Sequence, residues 1–284
     1  MRLDDILDFN SKWLNHLDVR QNTYPSTSII LKNENELLRF LKLVFDSRNI
    51  NATQAEWLFW RMLLPSRRKL IRDSWIFNDV KVKLGRRFLE EITPQIYAWL
   101  TSDAWIVKDT YKIGLCTTQL DTAFAYLSQI ARNDFIKLRL HNLYVTKKSE
   151  KHFSVEFYTI NLRVKERVDI VNYFKALKPE EKFMFLGAFV DGDGRVYKCG
   201  KRTGRLFIYN KNIELLKTIT GFLAELEINS KLWRKRAKNV YVLELWGNSA
   251  KKILKHIRPY IKHPRKSSQA DRILRGLKRY KFAK

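Results

Sequence analysis

The chain has 284 residues, enough for two ordinary domains or one domain with an extension, and with 45% of them apolar it can pack a core and is too apolar for wholesale disorder. Lys and Arg number 55 against 29 Asp and Glu, a formal net charge of +26. A folded body with that excess repels itself unless a polyanion neutralises it; nucleic acid is the first candidate and an anionic membrane surface the second.

Basic ribosomal proteins share this charge, so charge alone selects no activity. The opening stretch MRLDDILDFNSKWLNHLD carries acids and no long apolar core, unlike a signal peptide. No apolar run approaches the roughly 20 residues of a membrane span. An intracellular protein, of cytoplasm or organelle matrix, is expected.

Residues 1–92 read as a mainly helical extension, with helices at Glu34–Phe45, Thr53–Leu64 and Pro65–Glu91. A helix-turn-helix over Ser74–Phe88 is the weaker alternative to a helical extension packed on the core. Thr93-Pro94 then opens a helix, Thr as its cap and Pro in its first turn. A hairpin follows (Trp105–Val107, Tyr111–Thr117). The next helix, Gln119–Arg132, has Leu120, Ala123, Phe124 and Leu127 on one face. Strands at Ile136–Thr146 and His152–Tyr158 and a helix to Ala176 complete 93–177.

The same order returns in 178–263. Lys178-Pro179-Glu180-Glu181 places Pro and acids in a first turn. Strands at Val196–Lys198 and Arg205–Tyr209 precede a helix at Asn212–Glu227. A hairpin (Ser230–Arg236, Val240–Trp246) precedes a helix capped by Asn248 that runs to Ile257. Both segments read α-β-β-α-β-β-α, a weak internal repeat. It is carried by PQIYAWLTSDAW (Pro94–Trp105) and FMFLGAFVDGDGR (Phe183–Arg195), with Asp103 aligned on Asp193. Residues 264–284 form a basic helix whose charges, Lys266 among them, read as a solvated face or as phosphate contacts.

Cys116 and Cys199 lack CxxC spacing and a neighbouring His, so zinc is not expected and each reads as a buried, inert thiol. The five histidines lack a paired nucleophile, and His256 and His263 read as solvent-facing or phosphate-contacting. There is no P-loop or dinucleotide-binding glycine pattern. Trp60, Trp75, Trp99, Trp233 and Trp246 read as packing residues.

FLGAFVDGDG at Phe185–Gly194 closely resembles the LAGLIDADG signature. YNKNIELL at Tyr209–Leu216 resembles the corresponding segment of archaeal, intron-encoded, single-chain homing endonucleases. The resemblance spans Thr93 to His263 and is degenerate in its first half. It implies an α+β fold: two pseudo-symmetric αββαββα repeats with saddle-shaped antiparallel sheets. The two motif helices would pack side by side, with the small residues Ala98, Gly187 and Ala188 allowing close approach. Asp103 and Asp193 would project toward DNA as catalytic metal ligands for Mg²⁺, with Mn²⁺ tolerated; carboxylates at helix C-termini suit a hard cation.

Asp191, which aligns with Thr101, would shape the helix end, and Gly192 and Gly194 would serve the tight helix-to-strand turn. Lys211 falls on the position of the family's basic catalytic residue and Asn210 on a common polar position; Thr117 and Thr118 stand there in the first segment. Lys112, Arg139, His141, Lys147, Lys198, Lys201, Arg202, Arg205, Arg234 and Arg236 are the DNA contacts, base and phosphate undivided.

The implied function is a monomeric, site-specific double-strand DNA endonuclease of the homing type. The alternative is a LAGLIDADG-derived binding protein without cleavage: an RNA maturase, with structured intron RNA as partner, or a transcription regulator. A ribosome-type RNA-associated protein comes third. The DGDG turn speaks against it, since carboxylates add nothing to a phosphate-binding surface unless a metal bridges them.

Overall fold

The computed structural model describes residues 18–21, 27–46, 80–85, 92–107, 110–145, 151–164, 168–199, 203–235 and 239–275. The fold is α+β, with a seven-stranded sheet and a four-stranded sheet. Two compact units divide the chain: Met1–Glu91 with Ile106–Arg163, and Ile92–Trp105 with Val164–Lys284. The helix that follows Thr93 thus belongs with the C-terminal segment.

In the first unit, β1 (Asp18–Gln21) pairs antiparallel with β2 (Thr27–Leu31). Helix α1 (Glu34–Asp46) follows, its first turn capped by Asn33, whose Oδ1 accepts from the N–H groups of Asn35 and Glu36 at 3.0 and 3.1 Å. β2 runs parallel to β3 (Val80–Leu84). The sheet continues through β6 (Ile136–Val145), β7 (Lys151–Arg163) and β5 (Lys112–Thr117) to β4 (Trp105–Ile106) at its edge. α3 (Leu120–Ile130) packs against α1. Leu37, Phe40, Leu41, Ala123, Leu127, Ile136, Leu138 and Phe157 are buried in this unit.

The expected mainly helical extension, residues 1–92, lies largely outside the described residues, and one of its expected helices is corrected. Its described residues hold one helix and three strands, and β3 occupies part of the expected helix Pro65–Glu91. VKVKL alternates apolar residues with lysines, a two-residue period, and pairing with β2 and β6 on either side buries Val82, Lys83 and Leu84 together, which overrides helical propensity. The strand also displaces the helix-turn-helix reading of Ser74–Phe88. The β2–β3 pair is parallel, so the sheet is not purely antiparallel. Thr53–Leu64, Trp60 and Trp75 lie outside the described residues.

The second unit is built on α5 (Pro179–Asp193), buried nearly all round from Phe183 to Asp191. A helix without a polar face belongs inside a core, and α2 (Pro94–Thr101), α7 (Gly247–Ile257) and the strands β8 (Gly194–Cys199) and β9 (Thr203–Asn210) pack on it. The Glu181 carboxylate accepts from the Lys178 N–H at 2.8 Å and so closes the first turn. α4 (Ile170–Ala176) is capped by Asp169 and packs on α6 (Ile213–Glu225), which is capped by Asn212. β10 (Lys231–Lys235) and β11 (Val240–Trp246) complete an antiparallel sheet in the order β10-β11-β9-β8. α8 (Pro264–Arg275) ends the described chain, its Asp271 receiving a two-pronged Arg258 guanidinium at 2.6 and 2.7 Å.

The strand order β6-β7-β5-β4 matches β10-β11-β9-β8: third, fourth, second and first of each expected repeat. Asn248 does not cap α7. Trp246 holds that position, and Gly247 turns the chain at φ 57°, in the left-handed region open to glycine.

Candidate functional site

The site is assembled where α2 and α5 end. α2 finishes on small hydroxyl residues that satisfy its last carbonyls: Thr101 Oγ1 donates to Tyr97 O at 2.7 Å and Ser102 Oγ to Ala98 O at 3.0 Å. α5 finishes at Asp193, and Gly194 starts β8 directly. The two ends meet at Gly192. A Cβ placed there would lie 2.2 Å from Ser102 Oγ and 2.7 Å from Ser102 Cβ. Gly194 is required by the helix itself, since a Cβ would sit 2.5 Å from the Val190 backbone. Ala98 and Ala188 are fully buried. Gly187 is a correction: its missing side chain makes room for Tyr260, whose Cβ would lie 2.5 Å away, and not for α2.

Asn210, at the end of β9, ties the two ends together. Its amide nitrogen donates to Thr101 O at 2.9 Å and to Asp193 Oδ2 at 3.2 Å, while its oxygen accepts from the Asn212 N–H at 2.9 Å. It was expected to contact DNA; its side chain instead positions Asp193. Asp191 is fully buried and accepts from the N–H groups of Lys262 and His263 at 2.7 and 3.0 Å. Its carboxylate anchors the chain leading into α8.

Both outward acids titrate high. Burial raises the Asp193 carboxyl to about 6, the Asp103 charge adds to the rise, and Asn210 and Lys266 oppose it. The Asp103 residue is exposed as a whole, yet burial of its carboxyl raises that group too, against the pull of Lys266. Lys266 is the residue that sequence reasoning missed. Its ammonium donates to Val190 O, Asp191 O and Gly192 O at 3.0, 2.6 and 3.0 Å. Read as one more charge on a solvated helix, it is in fact lodged under the carboxylate pair. His263 likewise departs from its expected solvent-facing place: it is buried, its Nδ1 has no partner among the described residues, and burial lowers its imidazole to about 4.

Lys211, next to Asn210, is exposed. Among the described residues no group of three or more His, Cys, Asp or Glu is arranged to hold a metal. The acidic donors at the site are therefore the two carboxylates. Both are hard oxygen ligands of the kind Mg²⁺ and Mn²⁺ take together with waters and phosphate. The Lys266 protons are spent on carbonyls, so two carboxylates fit a divalent ion in part.

Alternation divides the second sheet into two faces. Val196, Leu206, Ile208, Leu243 and Leu245 are buried, and Ile273 of α8 lies against Gly204 on that same side. The opposite face carries exposed Arg195, Arg205, Lys231 and Trp246. Its floor is aromatic: Tyr197 stacks on Phe207 with centroids 5.7 Å apart, and Phe207 on Tyr209 at 6.2 Å. Arg195 lies over Tyr197, and Lys235 over Tyr209. Glu244 holds Arg205 at 3.5 Å and accepts from the Trp233 ring N–H at 3.2 Å.

Of the expected DNA contacts, Arg205 is on this face. Arg234 pairs in register with Tyr241, at the alternate position, and donates to Asn239 Oδ1. Lys112 is half-buried in β5. Arg139, His141 and Lys198 are placed by register only, opposite Glu156, Ser154 and Gly204. Lys147, Lys201, Arg202 and Arg236 lie outside the described residues. Trp99 is buried as expected, whereas Trp246 is 47% exposed and packs no core.

Residues 180–258 match the family model of the LAGLIDADG-like domain. No curated protein matches the chain. Among solved structures, the N-terminal LAGLIDADG domain of DUF199/WhiA is similar at 12% identity and a TM-score of 0.37, over 58% of this chain and 79% of that one. Full-length DUF199/WhiA from Thermatoga maritima gives 15% and 0.35, over 64% and 58%, so the chain spans little more than half of that protein. The homing endonuclease I-DmoI in complex with DNA and Mn gives 13% and 0.32, over 59% and 94%. No helix among the described residues is long and apolar enough to cross a membrane.

Proposed function

We propose that this chain is a DNA endonuclease of the LAGLIDADG type, in which Asp103 and Asp193 together hold a divalent cation for phosphodiester hydrolysis. One observation carries the reading: the ends of α2 and α5 meet, Gly192 against Ser102 and Asn210 bonding both Thr101 and Asp193, which brings the Asp103 and Asp193 carboxylates into one place. A carboxyl raised by burial and by a like charge, at a helix end, marks a place built for chemistry. The match of residues 180–258 to the LAGLIDADG-like domain supports the same reading.

A cation held there would supply Lewis acidity to the phosphodiester. Asn210 fixes the Asp193 carboxylate, and the exposed Lys211 is within the same loop to meet a phosphate oxygen. Arg195, Arg205 and Lys231 on the open face of the second sheet would neutralise the backbone of double-stranded DNA. Homing-type site specificity and action as a monomer belong to the proposal.

A second reading, binding without cleavage, is favoured by Thr117 and Thr118. They occupy, in the first segment, the places that Asn210 and Lys211 occupy in the second. The test is to incubate the full chain with randomised duplex DNA and Mg²⁺ or Mn²⁺, beside Asp193→Asn. Defined cuts that vanish in the variant, with binding kept, support the nuclease. Binding without cuts by either protein selects the second reading, and absence of binding defeats both.

A further inference from the structure

Lys266 sits in the first turn of α8, and each of its three N–H donors has a carbonyl of the α5 C-terminus within 3.0 Å. The clamp is reciprocal. Asp191 contributes its carbonyl to Lys266 and its carboxylate to the Lys262 and His263 N–H groups that lead into α8. Three bonds therefore fix the ammonium at the point where the helix's partial negative charge, Asp103 and Asp193 converge. It bonds to neither outward carboxylate and acts on them through space.

We propose that Lys266 is the resident counter-cation of the Asp103–Asp193 pair, a positioning residue that holds the end of α5 and keeps the free protein's affinity for divalent cations low until nucleic-acid phosphate completes the site. This rests on the metal reading of the pair given above. Asp191, held by backbone N–H groups, keeps its charge, so the three carboxylates and Lys266 leave two net negative charges, and the ammonium is the cation that faces all three. No third acidic, His or Cys ligand joins them among the described residues. A divalent ion meets two side-chain ligands and a fixed positive charge close by. A phosphate oxygen is the anionic ligand that the partner brings.

The experiment is a Mn²⁺ titration of the full-length protein without nucleic acid, read by the electron paramagnetic resonance signal of free Mn²⁺. Lys266→Gln keeps N–H donors for the carbonyls and removes the charge. It is expected to bind Mn²⁺ at least about tenfold more tightly than wild type, and Asp193→Asn added to it should erase the gain. Lys266→Arg, which keeps the charge, should stay within about twofold of wild type. Equal affinity of Lys266→Gln and wild type, with both lost on Asp193→Asn, overturns the role of Lys266 and leaves the metal site standing. No saturable binding by any of the proteins overturns both.

A second measurement does not depend on how the variant folds. Wild type mixed with a short DNA duplex should retain more Mn²⁺ than the sum of protein alone and duplex alone. Simple additivity would overturn the proposal.

Discussion

Asp193 ionises at about 6 in the fold, against an ordinary value of 3.8 for the side chain. Between those values the folded chain holds a proton that the unfolded chain has lost. Its contribution to stability therefore falls as pH rises from about 4 to about 6 and stays lowered above that. Asp193→Asn should stabilise the protein by about 1–2 kcal/mol near pH 7 and give no gain below about pH 4, read by thermal or urea unfolding at both values. His263 works in the opposite sense. Its imidazole falls from 6.5 to about 4 in the fold, so the stability it contributes is present above about pH 6.5 and is lost on acidification toward pH 4. In wild type the two groups oppose each other between about pH 4 and 6. Asp193→Asn, left with His263 alone, should lose stability more steeply there; parallel slopes would show that Asp193 is not the strained group. Asp193 was singled out in the sequence through the DGDG turn, and Asp103 by its alignment on Asp193. Asn210 was singled out as a DNA contact, but its bonds to Thr101 and Asp193, and the place of Lys266, were not legible, because they depend on groups far away in the chain: Thr101 for one, Val190 to Gly192 for the other.

The elements of the second unit were readable because caps, periodicity and turn residues agree there: Asn212 before α6, Pro179 in the first turn of α5, a two-residue period in β9 and β11. β3 was missed because it falls inside the stretch read as the helix Pro65–Glu91, and its burial depends on pairing with β2 and β6, both distant in sequence. The small residues of the motif were noticed, but which one faces which neighbour follows from packing alone. Gly187 faces Tyr260, and Gly192 faces Ser102. Gly192→Ala should cost about 1–3 kcal/mol, since an added methyl must push the end of α2 away. Combining it with Ser102→Gly should recover most of that loss in urea unfolding, as expected for two residues in direct contact. Strict additivity of the two substitutions would show that the helix ends do not meet there.

At the scale of the whole molecule the net charge of +26 remains the largest single fact, and the open face of the second sheet gives part of it a location. Arg195, Arg205 and Lys231 are exposed on the face that carries the stacked rings of Tyr197, Phe207 and Tyr209. Affinity for duplex DNA should fall steeply with salt. Changing the three residues to Gln should lower the slope of log K against log salt by about 1 per residue, measured by fluorescence anisotropy. An unchanged slope would place the DNA elsewhere.

The most direct measurement carries wild type, Asp103→Asn and Asp193→Asn through one duplex library, with Mg²⁺ and with EDTA, and sequences every end produced. Cuts at a defined site that need Mg²⁺ and disappear when either carboxylate is neutralised are the expected result. Mg²⁺-dependent cutting that survives both substitutions would contradict a metal centre built from this pair.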